Sequence, residues 1–165
     1  MLFRSISIGM VAEDGRELYA VNADMPVRRI RKSPWLMANV VPSLPKAHGD
    51  ARLYQPTRWL FNYSDPCVYK RPQIADKVRR FIQTTPDPQL WADWGAYDHV
   101  VLCQLWGRMI DLPEGVPMWT HDLRQEVERA GNPELPRQAH GEHNALADAR
   151  HNRAIAAFLA RRVIA

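Results

Sequence analysis

Two aspartates occupy unusual places in the periodic pattern of this chain. A helix is predicted from about Ala96 to Met109, and at roughly 100° per residue Asp98 falls on its apolar side. That apolar stripe consists of Val101, Leu102, Leu105 and Met109. A last helix is predicted from about Asn144 to near the end of the chain, and Asp148 falls on its apolar arc. This arc consists of Ala145, Ile155, Ala156 and Leu159. Both carboxylates are therefore expected to face the core side of their helices.

Three explanations account for such carboxylates, which are unfavourable on an apolar face unless something compensates them. Each acid lies in the first turn of its helix and could favour the positive end of the helix dipole. Each could instead pair with a buried arginine or lysine. Alternatively, Asp98 and Asp148 could converge on one divalent cation. Because two acids occupy equivalent places, a metal site competes with the other two explanations.

A histidine lies close to the second acid in sequence. His143 precedes Asp148 by five residues, which on an ideal helix would set the two side chains about 140° apart. They can converge only if His143 precedes the helix, and Asn144, a good N-cap, would leave it in the incoming loop. A histidine there is suited to general-base catalysis near neutral pH. His143 could equally be an ordinary surface residue, as could His140 and His151 nearby.

The elements that must position these residues begin with a predicted β-hairpin. Residues 5–11 alternate polar and apolar, Asp14-Gly15 is a strong turn signal, and residues 17–22 form a returning strand. A short helix is predicted around Pro34–Val41, with Ser33 as its N-cap. The basic run Arg28-Arg29-Ile30-Arg31-Lys32 could contact phosphates, although a solvated loop is the simpler interpretation.

The second half of the chain is predicted to be mainly helical. Residues 72–83 have the spacing of an amphipathic helix. Residues 89–94 indicate a short buried strand that Gly95 ends. Residues 122–130 indicate a further helix, closed by Gly131. This order predicts one mixed α/β domain with a small sheet, covering residues 1–165.

Composition narrows the classes of function. The 165-residue chain carries a net charge of +4, a mild basic bias that is compatible with a polyanionic partner. Its two cysteines form no C-x-x-C pair, which suits a reducing cytoplasm, and neither a signal peptide nor a membrane-spanning segment is expected. Six tryptophans are present, and most are expected in the core. Trp94 and Tyr97, nearest to Asp98, are the candidates for base stacking.

Three blocks of this sequence resemble one enzyme family. HNALADAR, residues 143–150, is similar to the third motif of the DEDDh 3′–5′ exonucleases, a histidine followed five positions later by aspartate. WADWGAYDHVVLCQLWG, residues 91–107, and ISIGMVAEDGRELYAV, residues 6–21, resemble a bacterial branch, the adenylate-specific 3′-exoribonucleases (exoribonuclease AS). The blocks occur in the family's order, and the resemblance runs from about Ser5 to Phe158.

The resemblance implies a fold and an activity. The fold would be ribonuclease H-like, with a five-stranded mixed sheet flanked by helices. The activity would be hydrolysis of single-stranded, adenylate-rich RNA from its 3′ end to nucleoside monophosphates, with two Mg²⁺ or Mn²⁺ ions held by four acids. By motif, Asp98 and Asp148 would be metal ligands and His143 the general base. A homodimer is common in the family.

One motif of the family is missing from this sequence. The D-x-E that supplies two of the four acids lies on a first strand, and here only four residues precede Ser5. The expectation is therefore a chain with an incomplete first strand and impaired activity, whose longer form would be an active nuclease. The main alternative is a non-catalytic domain that keeps the fold and binds nucleic acid or a protein partner. An unrelated α/β domain would require the motif matches to be coincidence.

Overall fold

The computed structural model describes residues 5–46 and 59–163, which form a mixed α/β structure with two small sheets. The strands are β1 (Ser7–Val11), β2 (Glu17–Asn22), β3 (Val68–Tyr69), β4 (Leu90–Ala92) and β5 (Thr120–Asp122). The α-helices are α1 (Val27–Ile30), α2 (Pro34–Asn39), α3 (Arg71–Gln83), α4 (Gly95–Cys103), α5 (Leu123–Arg129) and α6 (Ala145–Val163). Two 3₁₀ turns lie at Val41–Ser43 and Met109–Asp111.

The predicted hairpin is confirmed. β1 pairs antiparallel with β2, from Ser7 opposite Val21 to Val11 opposite Glu17. Gly15 has a φ of 91°, a left-handed conformation that glycine adopts without steric cost, so the chain reverses there. β2 pairs parallel with β3, which makes a mixed three-stranded sheet, while β4 and β5 form a separate parallel pair. The α/β class is therefore confirmed, with the described strands divided between two sheets.

The amphipathic helix α3 supplies one side of the main core. Its Ile74, Val78 and Ile82 are buried and cluster with Ala20 of β2, as their spacing predicts. Leu102 of α4 joins the same cluster. Burial of these aliphatic side chains fixes α3 and α4 relative to the hairpin.

The long helix α6 crosses the hairpin and packs on α5. Ile155 and Leu159 of α6 are buried against Leu123 and Val127 of α5. At its other end, α6 begins directly on β1, where a Cβ placed on Gly9 would overlap the carbonyl group of Ala145. Only glycine permits this close approach, so Gly9 determines where α6 starts relative to the sheet.

Several local predictions were wrong. The helix expected to reach Met109 ends at Cys103, because the chain continues in tight turns to Gly107, whose φ is 127°. The first three residues of the basic run lie in the short helix α1 instead of a loop, and Ile30 among them is buried, while Arg31 and Lys32 follow in a turn. The strand around residues 89–94 is only partly buried, since Trp91 is exposed. β3 and β5 were not predicted, since two or three residues are too few to show an alternating pattern.

Two other expectations concern the helices and the thiols. α2 begins after Ser33, whose hydroxyl accepts a hydrogen bond from the Leu36 amide at 3.3 Å, as predicted. Both cysteines are free thiols. None of the helices in the described part of the chain is both long enough and apolar enough to span a bilayer.

Candidate active site

The first candidate residue, Asp98, is positioned by a tight turn between β4 and α4. Trp94 has a φ of 60°, which turns the chain sharply out of the strand. The Gly95 amide then donates a hydrogen bond of 3.0 Å to the Asp122 carboxylate at the end of β5. A Cβ on Gly95 would lie only 3.0 Å from the carbonyl oxygen of His121, so the start of α4 packs closely on β5. This packing places Asp98 in the first turn of α4, beside the carboxyl ends of both strands.

Asp98 lies on the solvent side of α4, and the prediction that it faces the core was wrong. The apolar stripe is covered only in the second half of the helix, at Leu102 and Cys103, while the first turn is left open. Partial desolvation nevertheless raises the pKa of Asp98 to about 6. The negative charges of the neighbouring aspartates add to this rise, those of Asp93 and Asp122 before that of Asp148.

The second candidate residue, Asp148, lies in the first turn of α6. The side-chain oxygen of Asn144 accepts hydrogen bonds of 3.1 Å from the Leu146 and Ala147 amides, which confirms the predicted N-cap. Asp148 is half-buried, and its carboxylate accepts a hydrogen bond of 3.0 Å from the Gln138 side-chain amide. The sheet contact of α6 therefore carries Asp148 to within electrostatic range of Asp98.

Together, Asp93, Asp98, Asp122 and Asp148 form what we call the acidic cluster. Asp93 is neutralised by Arg124, whose guanidinium donates two hydrogen bonds of 2.5 and 2.9 Å to its carboxylate. Asp122 accepts from the backbone amides of Gly95 and Arg124. Within residues 5–46 and 59–163, neither Asp98 nor Asp148 has an ion-pair partner, so pairing with a buried cation does not explain them there. Solvent and the positive N-terminal ends of the α4 and α6 dipoles reduce the repulsion between the carboxylates of Asp98 and Asp148.

The third candidate, His143, lies in the loop before α6, as predicted. Its φ is 66°, a left-handed conformation that a tight turn at Gly141 imposes. The imidazole contacts the indole of Trp35 in α2 edge to face, with ring centroids 4.9 Å apart. The Ser43 hydroxyl donates to the carbonyl oxygen of Val40 at 2.8 Å and lies 3.5 Å from the carbonyl oxygen of His143. The structure thus groups Asp98 with Asp148, while the observed ring contact of His143 is with Trp35.

The acidic cluster offers the type of ligand atom that a divalent cation binds. The number of such ligands that lie close together in the described residues is too small. Carboxylate oxygens are the ligands that Mg²⁺ and Mn²⁺ prefer, and a cation would relieve the repulsion that raises the pKa of Asp98. In the described ranges, however, no three side chains of His, Cys, Asp or Glu gather closely enough to enclose an ion. The described carboxylates therefore supply part of a cation site and not a complete one.

The tryptophans are mostly exposed, contrary to the prediction that most are core residues. Only Trp59 is fully buried, whereas Trp94 is 60% exposed. Tyr97, one turn further along α4, is 77% exposed. Both residues precede Asp98 by at most four positions, and the Arg124 guanidinium lies 5.9 Å from the centre of the Trp94 ring. Large exposed aromatic side chains beside an acidic cluster are available to a ligand.

Other residues of the site were not singled out from sequence. Asp122 had a signal, since it precedes a predicted helix and indeed caps α5 by accepting from the Arg124 amide at 2.8 Å. No sequence signal indicated Gln138 or Trp35. Gln138 contacts Asp148 from an irregular loop, and Trp35 contacts His143 from a distant part of the sequence.

Comparisons with known proteins identify the family of this chain. Residues 54–160 match the model of the Rv2179c-like 3′–5′ exoribonuclease domain. Two curated proteins of Mycobacterium tuberculosis are each 42% identical over 147 residues, covering 88% of this chain and 77% of the relative. They are named 3′–5′ exoribonuclease Rv2179c, from strain H37Rv, and 3′–5′ exoribonuclease MT2234.1, from strain CDC 1551.

Proposed function

This chain belongs to the Rv2179c-like 3′–5′ exoribonuclease family of hydrolases, and we propose that it removes nucleoside monophosphates from the 3′ end of single-stranded RNA. Water attacks the phosphorus of the last phosphodiester, the bond to the 3′ oxygen of the preceding nucleotide breaks, and that oxygen takes up a proton. The observation that supports the proposal is the family match, together with the electrostatic effect of Asp148 on Asp98, although the two residues lie in the first turns of helices that start 50 residues apart in sequence.

We assign the two aspartates to cation binding within a ribonuclease H-like fold of the DEDDh type. Mg²⁺ or Mn²⁺, two ions in a complete site, would neutralise the charge that develops on the phosphate oxygens. Asp98 and Asp148 are the members of the acidic cluster that no basic side chain in the described residues neutralises, so they are free to bind cations. Gln138 orients the Asp148 carboxylate by donating to it.

His143 is assigned as the general base that accepts the proton of the attacking water. Its loop is held by the tight turn at Gly141 and by the Asn144 cap, and the Trp35 ring packs against its imidazole. A histidine titrates near neutral pH and can therefore accept a proton under cellular conditions.

Substrate binding is assigned to the exposed aromatic side chains and to the basic helix α1. Trp94 and Tyr97 can stack on bases near the scissile phosphate, because every base offers a π-face. Arg28 and Arg29 of α1 are exposed, so they can contact phosphates. A preference for adenylate-rich strands and a cytoplasmic location, the latter supported by two free thiols, are part of the same proposal.

Self-association into a homodimer is also proposed. Val100 on α4 and the turn residues Met109 and Ile110 are exposed apolar side chains, and α4 contacts this 3₁₀ turn. An apolar surface of this kind is typical of interfaces. Sedimentation of the purified chain measures the assembly, and a monomer at all concentrations would contradict this part.

The decisive experiment follows the degradation of 5′-labelled RNA with Mg²⁺ or Mn²⁺ present. We expect shortening from the 3′ end that falls on the order of 100-fold or more in Asp98→Asn and in Asp148→Asn. Asp87→Asn is the matched control, because Asp87 is exposed and lies outside the acidic cluster. Binding of RNA without any hydrolysis at saturating Mn²⁺ would instead select the alternative function, a non-catalytic nucleic-acid-binding domain.

A further inference from the structure

A recess lies beside the acidic cluster, between β5 and the helices α4 and α5. It is an open cavity of about 260 Å³, which we call the Trp119 pocket. Its lining consists of Ala96, Trp119, Thr120, His121, Asp122, Gln125, Glu126 and Arg129. Cavities that take drug-sized ligands begin near 300 Å³, so this one matches a smaller, flat group.

The pocket has aromatic walls that the fold leaves open. Trp119 is 63% exposed, and its ring centre lies 6.4 Å from that of His121. His121 in turn stacks on Trp91 with ring centroids 4.5 Å apart and an interplanar angle of 18°. Trp91 and His121 are partners in the parallel register, so this stack is fixed by the sheet. Such a surface is suited to a planar ring.

The charges of the lining favour a neutral group over a phosphate. Asp122 and Glu126 are acidic and Arg129 alone is a permanent cation, and Arg129 already donates a hydrogen bond to Glu126. A phosphate would therefore meet net negative charge. A nucleobase would meet the side-chain amide of Gln125, which can donate to and accept from its edge, while the Thr120 hydroxyl is already hydrogen-bonded to the His99 ring at 3.0 Å.

The pocket is continuous with the candidate active site. Ala96 lines it and lies two residues before Asp98 on α4. Asp122 lines it and also belongs to the acidic cluster, where its carboxylate holds the Gly95 amide. One flexible strand could therefore occupy the acidic cluster and the pocket together, which favours the RNA substrate over a separate ligand.

We propose that the Trp119 pocket binds a nucleobase of the substrate RNA, stacked on Trp119, at a nucleotide outside the bond that is cleaved. The inference rests on the proposed function in taking RNA as the ligand. The pocket would hold the strand between cleavage events, because one anchored base lowers the chance of release after each nucleotide is removed.

The test measures binding in EDTA, where hydrolysis is excluded, with fluorescently labelled oligoadenylate of about ten nucleotides. We expect Trp119→Ala to raise Kd about tenfold and Trp119→Phe to raise it less, since a phenyl ring still stacks. Tyr63→Ala is the matched control, because Tyr63 is an exposed aromatic residue outside both sites. Its Kd should stay at the wild-type value.

A double cycle identifies the contacted base. Oligonucleotides with one abasic position, moved stepwise from the 3′ end, should include one that weakens binding to the wild-type chain and leaves binding to Trp119→Ala unchanged. Independent losses at every position, or an unchanged Kd in Trp119→Ala, would overturn the proposal. Loss of self-association in Trp119→Ala with intact RNA affinity would also overturn it, by making the pocket a contact between copies.

Hydrolysis assays on the same variants distinguish a failure of the proposed function from a failure of the Trp119 pocket proposal. If the wild-type chain cleaves no RNA but the Trp119 cycle holds, the proposed function fails and the pocket remains a nucleobase site. If the chain cleaves RNA and Trp119→Ala neither weakens binding nor releases intermediates earlier, the pocket proposal fails alone.

Discussion

The indole ring of Trp35 packs edge to face against the imidazole of His143, although the two residues are 108 positions apart in sequence. The contact joins α2 to the loop before α6. His143 also has a left-handed backbone, within a turn that the Asn144 amide closes by donating to the Gly141 carbonyl at 3.0 Å. A general base must be held within narrow limits to act.

We therefore expect Trp35→Ala to lower kcat about tenfold with a smaller change in KM, because the imidazole loses the ring that restrains it. Trp35→Phe should retain most of the activity, since it preserves an edge-to-face contact. Steady-state kinetics across a range of pH measure both variants, with Tyr63→Ala as a control for loss of an exposed aromatic side chain. Equal activity in Trp35→Ala and the wild-type chain would show that the contact does not position His143.

Asp98 makes stability depend on pH in a defined direction. Its pKa is about 6 in the folded chain against an ordinary 3.8, so between these values the folded chain binds a proton that the unfolded chain does not. The free energy of unfolding therefore falls as pH rises through this window.

Without divalent cations, Asp98→Asn should thus be the more stable chain near neutral pH. Because Asp98 is exposed, we reduce the expected gain for solvent screening to about 1 kcal/mol, which corresponds to a Tm higher by roughly 2–4 °C. The gain should vanish below pH 3.8, where both states are protonated. Thermal unfolding in EDTA measures this, and Asp87→Asn should show no such trend. A lower Tm for Asp98→Asn at neutral pH would contradict the destabilisation of the Asp98 carboxylate by desolvation and by its acidic neighbours.

Gln138 supports Asp148 and should affect the dependence on cations. Gln138→Ala removes the amide that donates to the Asp148 carboxylate, so the concentration of Mn²⁺ at half-maximal activity should rise about tenfold. The matched control is Gln89→Ala, because Gln89 is an exposed glutamine beyond the acidic cluster. An unchanged Mn²⁺ dependence in Gln138→Ala would remove Gln138 from the proposed site.

Two glycines should differ in their tolerance of a methyl group. Gly9→Ala drives a Cβ into the backbone at Ala145 and should cost about 3 kcal/mol or more of unfolding free energy. Gly95→Ala brings a Cβ to 3.0 Å from the His121 carbonyl oxygen, a milder overlap, and should cost about 1–2 kcal/mol. Urea unfolding compares them directly. Equal losses of unfolding free energy in the two variants would mean that α6 can move on β1 to accommodate the Gly9→Ala methyl group at no extra cost.

A last prediction concerns the missing acids of the DEDDh pattern. The 165 residues contain no D-x-E, and among the described strands β1 pairs only with β2 and β4 only with β5. The DEDDh assignment requires two further acids for a complete cation site. An N-terminal extension carrying a D-x-E strand should raise Mg²⁺-dependent RNA degradation by orders of magnitude, and the same extension with both acids changed to alanine should not. No gain over that control would contradict the DEDDh assignment.

The sequence by itself determined the hairpin, α3, the Asn144 cap and the 3′–5′ exoribonuclease class, because each of these depends on local patterns. Alternation, helical spacing, capping side chains and turn glycines act over a few residues and are visible in one dimension. The tertiary structure decided the rest. Asp98 is exposed because the first turn of α4 is not covered by the core, and the charges of Asp93, Asp122 and Asp148 act on it because the fold brings separate elements near one another. Trp35, Gln138 and the Trp119 pocket likewise depend on contacts between distant segments, which no local pattern encodes.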